Sequence, residues 1–208
     1  MSTLERQAHW QNVYLTKGER DVSWFEENPA ISLDLIRATG VGFDAPIIDI
    51  GGGASRLVDA LVSEGFHSVT VLDLSEKALV TSRDRLGSYA QCVNWIVADV
   101  TTWQPTQIYA LWHDRAAFHF LTEPSDREAY AERLRKAVRP GGHVIIGTFA
   151  LDGPERCSGL LVIRHDAASI GAILGQSFKL IETRRHDHRT PSGSVQHFQF
   201  SRFQRDNS

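Results

Sequence analysis

Short apolar runs alternate with amphipathic stretches through the first 150 residues of the chain. The apolar runs cover residues 46–50, 68–73, 93–97, 108–113 and 143–149. Helical periodicity fills the intervals, with Ser75 as an N-cap and with Ser125 and Glu128 as a capping box. Such alternation predicts a parallel sheet with right-handed crossovers, so we expect an α/β fold.

The C-terminal part follows a different pattern. Residues 178–189 and 195–203 have the composition of two strands, and the turn residues 191–194 separate them. Two strands joined in this way form a hairpin. We therefore expect one edge of the sheet to contain antiparallel strands.

A glycine turn follows the first predicted strand. The segment Ile47-Ile48-Asp49-Ile50-Gly51-Gly52-Gly53 leads into a predicted helix at 54–64, and the next strand ends at Asp73. This layout is typical of nucleoside cofactor sites, because the glycines let the backbone approach the ligand and the acid accepts hydrogen bonds from a ribose diol. A dinucleotide site is the alternative, but its third glycine is replaced by Arg56, and the chain is short for a second, substrate-binding domain.

Composition narrows the classes of function. The 208 residues fit one domain, the formal charge of -3 argues against nonspecific nucleic-acid binding, and no apolar run approaches a membrane span. The first ten residues lack the apolar centre of a signal peptide, and Cys92 and Cys157 are too few for a disulfide framework. We expect a cytoplasmic protein with neither nucleic acid nor a membrane as partner.

Further motifs follow the glycine turn in order. They are Ala98-Asp99-Val100, His113-Asp114-Arg115 and the stretch 134–142, which ends in Arg139-Pro140-Gly141-Gly142. Together with the glycine turn and Asp73, they resemble the class I S-adenosylmethionine-dependent methyltransferases over nearly the whole chain. The resemblance implies the Rossmann-like class I methyltransferase fold, a seven-stranded and mostly parallel sheet with a C-terminal antiparallel hairpin, and S-adenosylmethionine as cofactor.

The resemblance also implies a cofactor site at the carboxyl edge of the sheet. It assigns to that site Asp49, Gly51, Gly52, Gly53, Asp73, Leu74, Asp99 and Val100. The glycines would lie against the methionine part, Asp73 would hold the ribose, and Asp99 would accept from the adenine amino group. Asp49 would orient the loop or bind the amino-acid ammonium. Any one of these acids could also be a strand-end cap or an ion-pair partner.

Aromatic residues precede the first strand. Trp10 and Tyr14 are four residues apart and share one helical face, and Trp24 follows them. They either anchor the helix on the sheet or form a lid, since aromatic faces attract a sulfonium cation. We include them in the cofactor site and divide the single domain into a lid and helix at 1–40, a cofactor-binding core at 41–150, and a substrate loop and hairpin at 151–208.

The spaced aromatics and Asp114-Arg115 resemble the thiopurine methyltransferase branch, although the glycine that follows Asp-Arg there is Ala116 here. The N-terminal segment also resembles lysine methyltransferases, whose Asp-Lys-Gly-Thr motif is absent. We expect methyl transfer to a small molecule, with a thiol-type acceptor as the leading hypothesis. A protein lysine N-methyltransferase, with a protein substrate, is the alternative, and a non-catalytic cofactor-binding protein is a third.

Three residues after the fourth strand are candidates for catalysis. Asp114 would orient the cofactor or nucleophile, and Arg115 would bind an anionic group or thiolate unless it only pairs with a neighbouring acid. His119 is a candidate base, with packing in a loop as its alternative role. Cys157, in the expected substrate loop, is interpreted as a packed or idle thiol.

The hairpin contains three histidines. His186 and His188 lie on one face of a strand, and a turn at 191–194 would place His188 opposite His197. Three histidines could bind a metal ion. We favour a solvated hairpin face and expect no metal.

Overall fold

The computed structural model describes residues 1–207 and centres on a seven-stranded sheet. The strands are β1 (Ile47–Ile50), β2 (Val69–Asp73), β3 (Val93–Val97), β4 (Tyr109–Arg115), β5 (Val138–Phe149), β6 (Phe178–Arg189) and β7 (Val195–Arg205). Their spatial order is β3-β2-β1-β4-β5-β7-β6, in which β1 to β5 are parallel and β7 runs antiparallel to both of its neighbours. The predicted Rossmann-like sheet with a C-terminal antiparallel hairpin is confirmed.

Within residues 1–207, six α-helices flank the sheet. They are α1 (Thr3–Thr16), α2 (Ala30–Arg37), α3 (Leu57–Ser63), α4 (Glu76–Leu86), α5 (Pro124–Ala137) and α6 (Ala167–Leu174). Two 3₁₀ turns lie at Gly87–Cys92 and Phe118–Phe120, and a small hairpin joins Arg156–Cys157 to Leu160–Leu161. The hydrophobic pattern of the sequence did not predict α6 or this small hairpin.

The core forms two apolar layers, one on each face of the sheet. Ile47 packs into the layer that α2 and α3 cover, whereas Ile48 and Ile50 pack into the layer beneath α5 and α6. All three side chains are buried. A central strand that is covered on both faces is mostly apolar, which explains the three isoleucines of β1, and Asp49 is its one polar residue.

The start of α5 differs from the prediction. The helix begins at Pro124, Glu123 is its N-cap, and no side chain caps it. The predicted capping box of Ser125 and Glu128 is therefore wrong. Proline suits the first helical turn because its missing N–H would have no intrahelical partner there.

The register of the terminal hairpin also differs. Arg189 pairs with Val195, so His188 faces Gln196, and His197 faces Asp187 rather than His188. The connection includes Thr190, whose hydroxyl oxygen accepts a hydrogen bond from the Ser194 amide. The predicted pairing of His188 with His197 is wrong because Thr190 belongs to the turn and not to the strand.

The carboxyl ends of the parallel strands meet at one edge of the sheet. β1 and β4 are neighbours there, although β2 and β3 intervene along the chain. Ligands of open α/β sheets bind at such a reversal of strand order. Among residues 1–207, no helix has the length and apolar character needed to span a membrane.

Candidate active site

A cavity of about 850 Å³, counting space open to solvent, lies at this edge. The ends of β1, β2 and β3 contribute Ile50, Gly51, Leu72, Asp73, Leu74, Ala98, Asp99 and Val100. The N-terminal segment contributes Arg6, Trp10, Tyr14 and Trp24. The ends of β4 and β5, the small hairpin and β7 contribute Arg115, Ala116, Ala117, Phe120, Leu121, Phe149, Cys157, Gln196 and Phe198.

Gly51 lines the cavity, whereas Gly52 and Gly53, which the sequence also assigned to the cofactor site, do not. Gly51 and Gly53 have positive φ angles of 66° and 39°. A Cβ atom on Gly51 would lie 2.7 Å from the Ala117 methyl, and one on Gly53 would lie 2.7 Å from Asp73 Oδ2 and 3.2 Å from the Tyr14 hydroxyl. Only a residue without a side chain fits these two positions, and at Gly51 this leaves the main chain open to a ligand.

Asp73 lines the cavity at the end of β2 and is almost fully buried. Its Oδ1 accepts a hydrogen bond of 2.7 Å from the Ser75 amide. Burial raises the pKa of Asp73 to about 7, and the charge of Asp49 adds to this rise, while the bond from Ser75 opposes it. A buried carboxyl with unused acceptor capacity fits the ribose contact expected from the sequence.

Asp99 also lines the cavity, but both of its oxygens already have protein partners. Arg6 donates to Oδ2 from Nε and Nη2 over 3.0 and 2.6 Å. Thr101 donates to Oδ1 from its amide and hydroxyl over 2.9 and 2.7 Å, and Thr3 donates to Oδ2 over 2.9 Å. This arrangement makes Asp99 an anchor for α1 and leaves little capacity for the expected adenine amino group.

Asp49 lies beneath the turn and does not line the cavity. Its Oδ1 is 2.7 Å from His113 Nδ1, and His113 Nε2 is 2.9 Å from the Ser32 hydroxyl. A Cβ on Gly52 would lie 2.5 Å from Asp49 Oδ2, so glycine is required above the carboxylate. Of the two expected roles of Asp49, the geometry favours orientation of the loop over a contact with the cofactor.

The aromatic residues of the N-terminal segment form one wall of the cavity. Trp10 packs edge-on against Trp24 and Phe120, with ring centroids 5.6 and 4.8 Å apart. Trp24 Nε1 donates to the Tyr14 hydroxyl over 3.3 Å. The three predicted aromatics therefore lie together at the cavity, where they both anchor α1 and face the ligand space.

Arg115 lies at the end of β4. The sequence allowed it either to bind an anionic group or thiolate or to pair with a neighbouring acid, and its position is compatible with both roles. It lines the cavity, yet Nη2 donates to the Trp24 carbonyl over 2.9 Å and Nη1 is 3.4 Å from Glu26 Oε2. Burial would raise the pKa of Glu26, but the hydrogen bond to His188 and the charge of Arg115 outweigh it and lower the value to about 2. Arg115 thus connects Glu26, which the sequence analysis did not single out, to the ligand space.

Asp114 does not line the cavity, contrary to the expected contact with cofactor or nucleophile. Its Oδ1 accepts from the amides of Ala117 and Phe118 over 2.9 and 3.2 Å, and its Oδ2 accepts from Tyr130 over 2.8 Å. Burial raises the pKa of Asp114 to about 6. The carboxyl fixes the turn in which Ala116 adopts a φ of 71°, the left-handed conformation that favours glycine.

His119 is buried and does not line the cavity. Its Nδ1 accepts a hydrogen bond from the Phe149 amide over 3.2 Å, and the ring packs against Phe120, Phe149 and Phe198. Burial lowers the pKa of His119 to about 3, so the ring is neutral and packed. Of the two roles that the sequence allowed, the geometry favours packing over action as a base.

Two polar side chains at the far end of the cavity were not predicted as site residues. Cys157 lines the cavity, and burial raises the pKa of its thiol to about 11. Gln196 lines it too, and within residues 1–207 its buried Oε1 has no hydrogen-bond partner. Cys157 is thus packed, as expected, but also faces the ligand space. Both residues reach the cavity only through the folding of the hairpins.

Comparison with known proteins agrees with this geometry. Residues 47–142 match the methyltransferase domain family. Thiocyanate methyltransferase 1 of Arabidopsis thaliana is 28% identical over 182 residues, covering 84% of this chain and 76% of that protein. Probable thiol methyltransferase 2 of the same plant is 32% identical over 111 residues, covering 52% of this chain and 47% of that protein.

A solved structure shares the fold. The N-methyltransferase NodS from Bradyrhizobium japonicum WM9, in complex with S-adenosyl-L-homocysteine, aligns with a TM-score of 0.71 at 16% identity, covering 94% of this chain and 97% of that one. The glycine turn, the buried Asp73 and the enclosed cavity of this chain suit an adenosyl cofactor. Residues 47–142 therefore form a methyltransferase domain, and the protein is an S-adenosylmethionine-dependent methyltransferase.

Proposed function

We propose that this methyltransferase transfers the methyl group of S-adenosylmethionine to a sulfur nucleophile of a small molecule. This proposal rests on the residues at the far end of the cavity, which is the end formed by β4, β5, the small hairpin and β7. Aromatic rings, Arg115, Cys157 and Gln196 lie there, whereas His119 and Asp114 lie behind the wall. Such a site binds and orients a nucleophile but has little means of removing a strongly held proton.

The order of the strands divides the cavity into a part for the adenosine, a part for the methionine and a part for the acceptor. We infer that the adenosine part lies near β2 and β3, where Asp73 accepts from the ribose hydroxyls and Leu74 and Val100 pack on the base. The methionine part would lie on the main chain of residues 51–53, near β1. The methyl group would then point towards β4 and β5, where Trp10 and Arg115 line the cavity.

Bound S-adenosylmethionine supplies an already activated methyl group on a positively charged sulfur. The chain's task is to hold the acceptor in line and to exclude water. The acceptor sulfur forms a bond to the methyl carbon as the carbon–sulfur bond to the donor breaks, and the bonding pair leaves with S-adenosylhomocysteine. The guanidinium of Arg115 favours the thiolate form of the acceptor, and aromatic faces such as Trp10 stabilise the donor cation.

The candidate acceptors, a thiol and a lysine amine, differ in how readily they lose a proton before they react. A thiol of ordinary pKa, about 8.5, is partly ionised near neutral pH, whereas a lysine ammonium, at about 10.4, must lose a proton before it reacts. Within residues 1–207, the carboxyls that line the cavity, Asp73 and Asp99, lie at its cofactor end. The names of the two plant relatives, a thiocyanate and a thiol methyltransferase, point the same way.

A panel assay tests the proposal. The protein is incubated with methyl-labelled S-adenosylmethionine and with matched thiols, amines and carboxylates, and label is measured in the small-molecule and protein fractions. We expect label in thioethers, and we expect Arg115→Met to raise KM for thiols more than it changes donor affinity. Label confined to amines would overturn the sulfur assignment. Label confined to protein would favour the lysine methyltransferase alternative.

A further inference from the structure

Two histidines and a glutamate converge behind the cavity wall. His186 and His188 are alternate residues of β6 and lie on the same face of the strand, and Glu26 lies in the segment between α1 and α2. His186 Nε2 and His188 Nδ1 are each 3.1 Å from Glu26 Oε1. One ligand atom from each of the three residues lies within 4.8 Å of the other two.

We propose that Glu26, His186 and His188 form a binding site for a divalent transition-metal ion such as Zn²⁺. Imidazole and carboxylate are ligands that zinc uses, and three protein ligands with an open position are a common zinc arrangement. Bonds of about 2.1 Å in a tetrahedron place neighbouring ligand atoms roughly 3.4 Å apart. The two 3.1 Å separations are close to this spacing.

The second hydrogen bond of His188 supports the assignment. Its Nε2 is 2.7 Å from the Ser23 carbonyl oxygen, which only accepts, so Nε2 carries a hydrogen. In the neutral ring, the lone pair of Nδ1 then points at the carboxylate of Glu26. Either a proton on Nδ1, which gives the hydrogen bond to Glu26 described above, or a metal ion can occupy the position between Nδ1 and Oε1, and a backbone carbonyl is a common partner for the other nitrogen of a metal-bound histidine.

The surroundings suit a metal ion. His188 is buried, whereas the His186 side chain is 32% exposed and borders a surface pocket that gives access from solvent. Glu26 Oε2 is held from the other side by Arg115, 3.4 Å away, which leaves Oε1 for the ion. The sequence had indicated a solvated hairpin face, but in the structure His188 on this face is buried beside Glu26.

A bound ion would tie the segment at 23–26 to the terminal hairpin. Trp24 lies in this segment and lines the ligand cavity, and its carbonyl accepts a hydrogen bond from Arg115. The ion would therefore stabilise the wall of the cavity rather than take part in methyl transfer.

Metal binding by the purified full chain tests this site. After treatment with a chelator and removal of that chelator, the protein is titrated with ZnCl₂ in a calorimeter, and its thermal transition is followed with and without the ion. We expect one ion per chain and a transition temperature that rises with zinc concentration, because the ion binds only the folded state.

Matched variants locate the ion. His186→Ala should weaken zinc binding by at least about tenfold, since even a lost second partner of a ligand costs about 10–100-fold. His197→Ala is the control, because His197 is exposed on the neighbouring strand and pairs with Asp187. The thermal transition of both variants without zinc shows whether they fold. Absence of zinc binding by the unmodified protein, or equal affinity of His186→Ala, would overturn the proposal.

Discussion

Arg6 donates two hydrogen bonds to one oxygen of Asp99, from Nε over 3.0 Å and from Nη2 over 2.6 Å. Both side chains are buried, and the pair joins the N-terminal helix to the end of β3. Nη1 of the same guanidinium is 2.7 Å from Asp126 at the start of α5. One arginine thus holds α1 against two elements of the core.

Replacement of Arg6 should therefore lower the free energy of unfolding. Arg6→Met leaves the Asp99 carboxylate buried without its cation, and removal of one partner of a buried pair costs about 3–5 kcal/mol. Urea unfolding measures the free energy of unfolding of the parent and of the variant. The double variant Arg6→Met with Asp99→Asn should recover part of the loss, and a double variant as unstable as the single one would show that the charge is not the cause.

The same pair predicts acid sensitivity. Burial opposes ionisation of Asp99, but the hydrogen bonds from Arg6 and Thr101 outweigh it and lower its pKa below the ordinary value. A lowered pKa in the folded state contributes stability above about pH 4, and this contribution is lost as pH falls through the folded value. Unfolding free energies measured from pH 6 to pH 3 should fall more steeply for the parent than for Asp99→Asn.

Ionisation of Asp73 should lower the stability of the free protein but strengthen its binding of S-adenosylmethionine. Because burial raises its pKa to about 7, the free protein loses stability as pH rises from about 4 to 7 and the carboxyl ionises. Asp73→Asn should therefore stabilise the free protein above pH 7. It should also weaken S-adenosylmethionine binding at least about tenfold, since a hydrogen bond to a charged group contributes about 1.5–3 kcal/mol.

Titration calorimetry at several pH values checks the Asp73 prediction. Affinity of the parent should increase as pH rises through about 7, where the carboxylate forms, and that of Asp73→Asn should stay flat. Parallel pH profiles for the two proteins would remove Asp73 from the ribose site.

Ala116 has a φ of 71°, which costs a residue with a Cβ about 1–2 kcal/mol. Ala116→Gly relieves this strain but adds freedom to the unfolded chain, so we expect a net stabilisation of up to about 1 kcal/mol. Ala117→Gly is the matched control, because Ala117 does not have a positive φ and should lose stability. Equal effects of the two substitutions in denaturant unfolding would contradict the assignment of strain.

His119→Asn should leave the pH dependence of kcat/KM unchanged between pH 6 and 8. The ring is buried behind Phe149, and its pKa of about 3 keeps it neutral over that range. The substitution should lower stability by about 0.5–3 kcal/mol, because the asparagine amide oxygen can still accept from the Phe149 amide but the smaller side chain loses the ring contacts with Phe120 and Phe149. Disappearance of the acidic limb of the pH–rate profile, with the fold intact, would restore His119 as a base.

The sequence predicted the sheet well, and it identified the glycine turn, because these depend on local signals. Apolar runs determine the strands, and the turn at 51–53 requires glycine for reasons of backbone space. The strand-end acids Asp49 and Asp114 carry the same local signal as Asp73. Only packing shows that they point beneath the turn and behind the wall, away from the cavity.

The remaining site residues were missed because their roles depend on contacts distant in sequence. Arg6 and Asp99 are 93 positions apart, and Glu26 and His188 are 162 apart. Gln196 lines the cavity from β7, whose pairing with β6 is shifted by one residue from the expected register because Thr190 belongs to the hairpin turn. No local pattern of residue types specifies these contacts.

A crystal structure with S-adenosylhomocysteine would show the position of the cofactor itself. We expect the ribose hydroxyls within hydrogen-bond reach of the Asp73 carboxylate, the amino-acid part on the main chain of residues 51–53, and the sulfur facing Trp10 and Arg115. A ligand bound elsewhere, or a ribose that does not contact Asp73, would contradict this expectation.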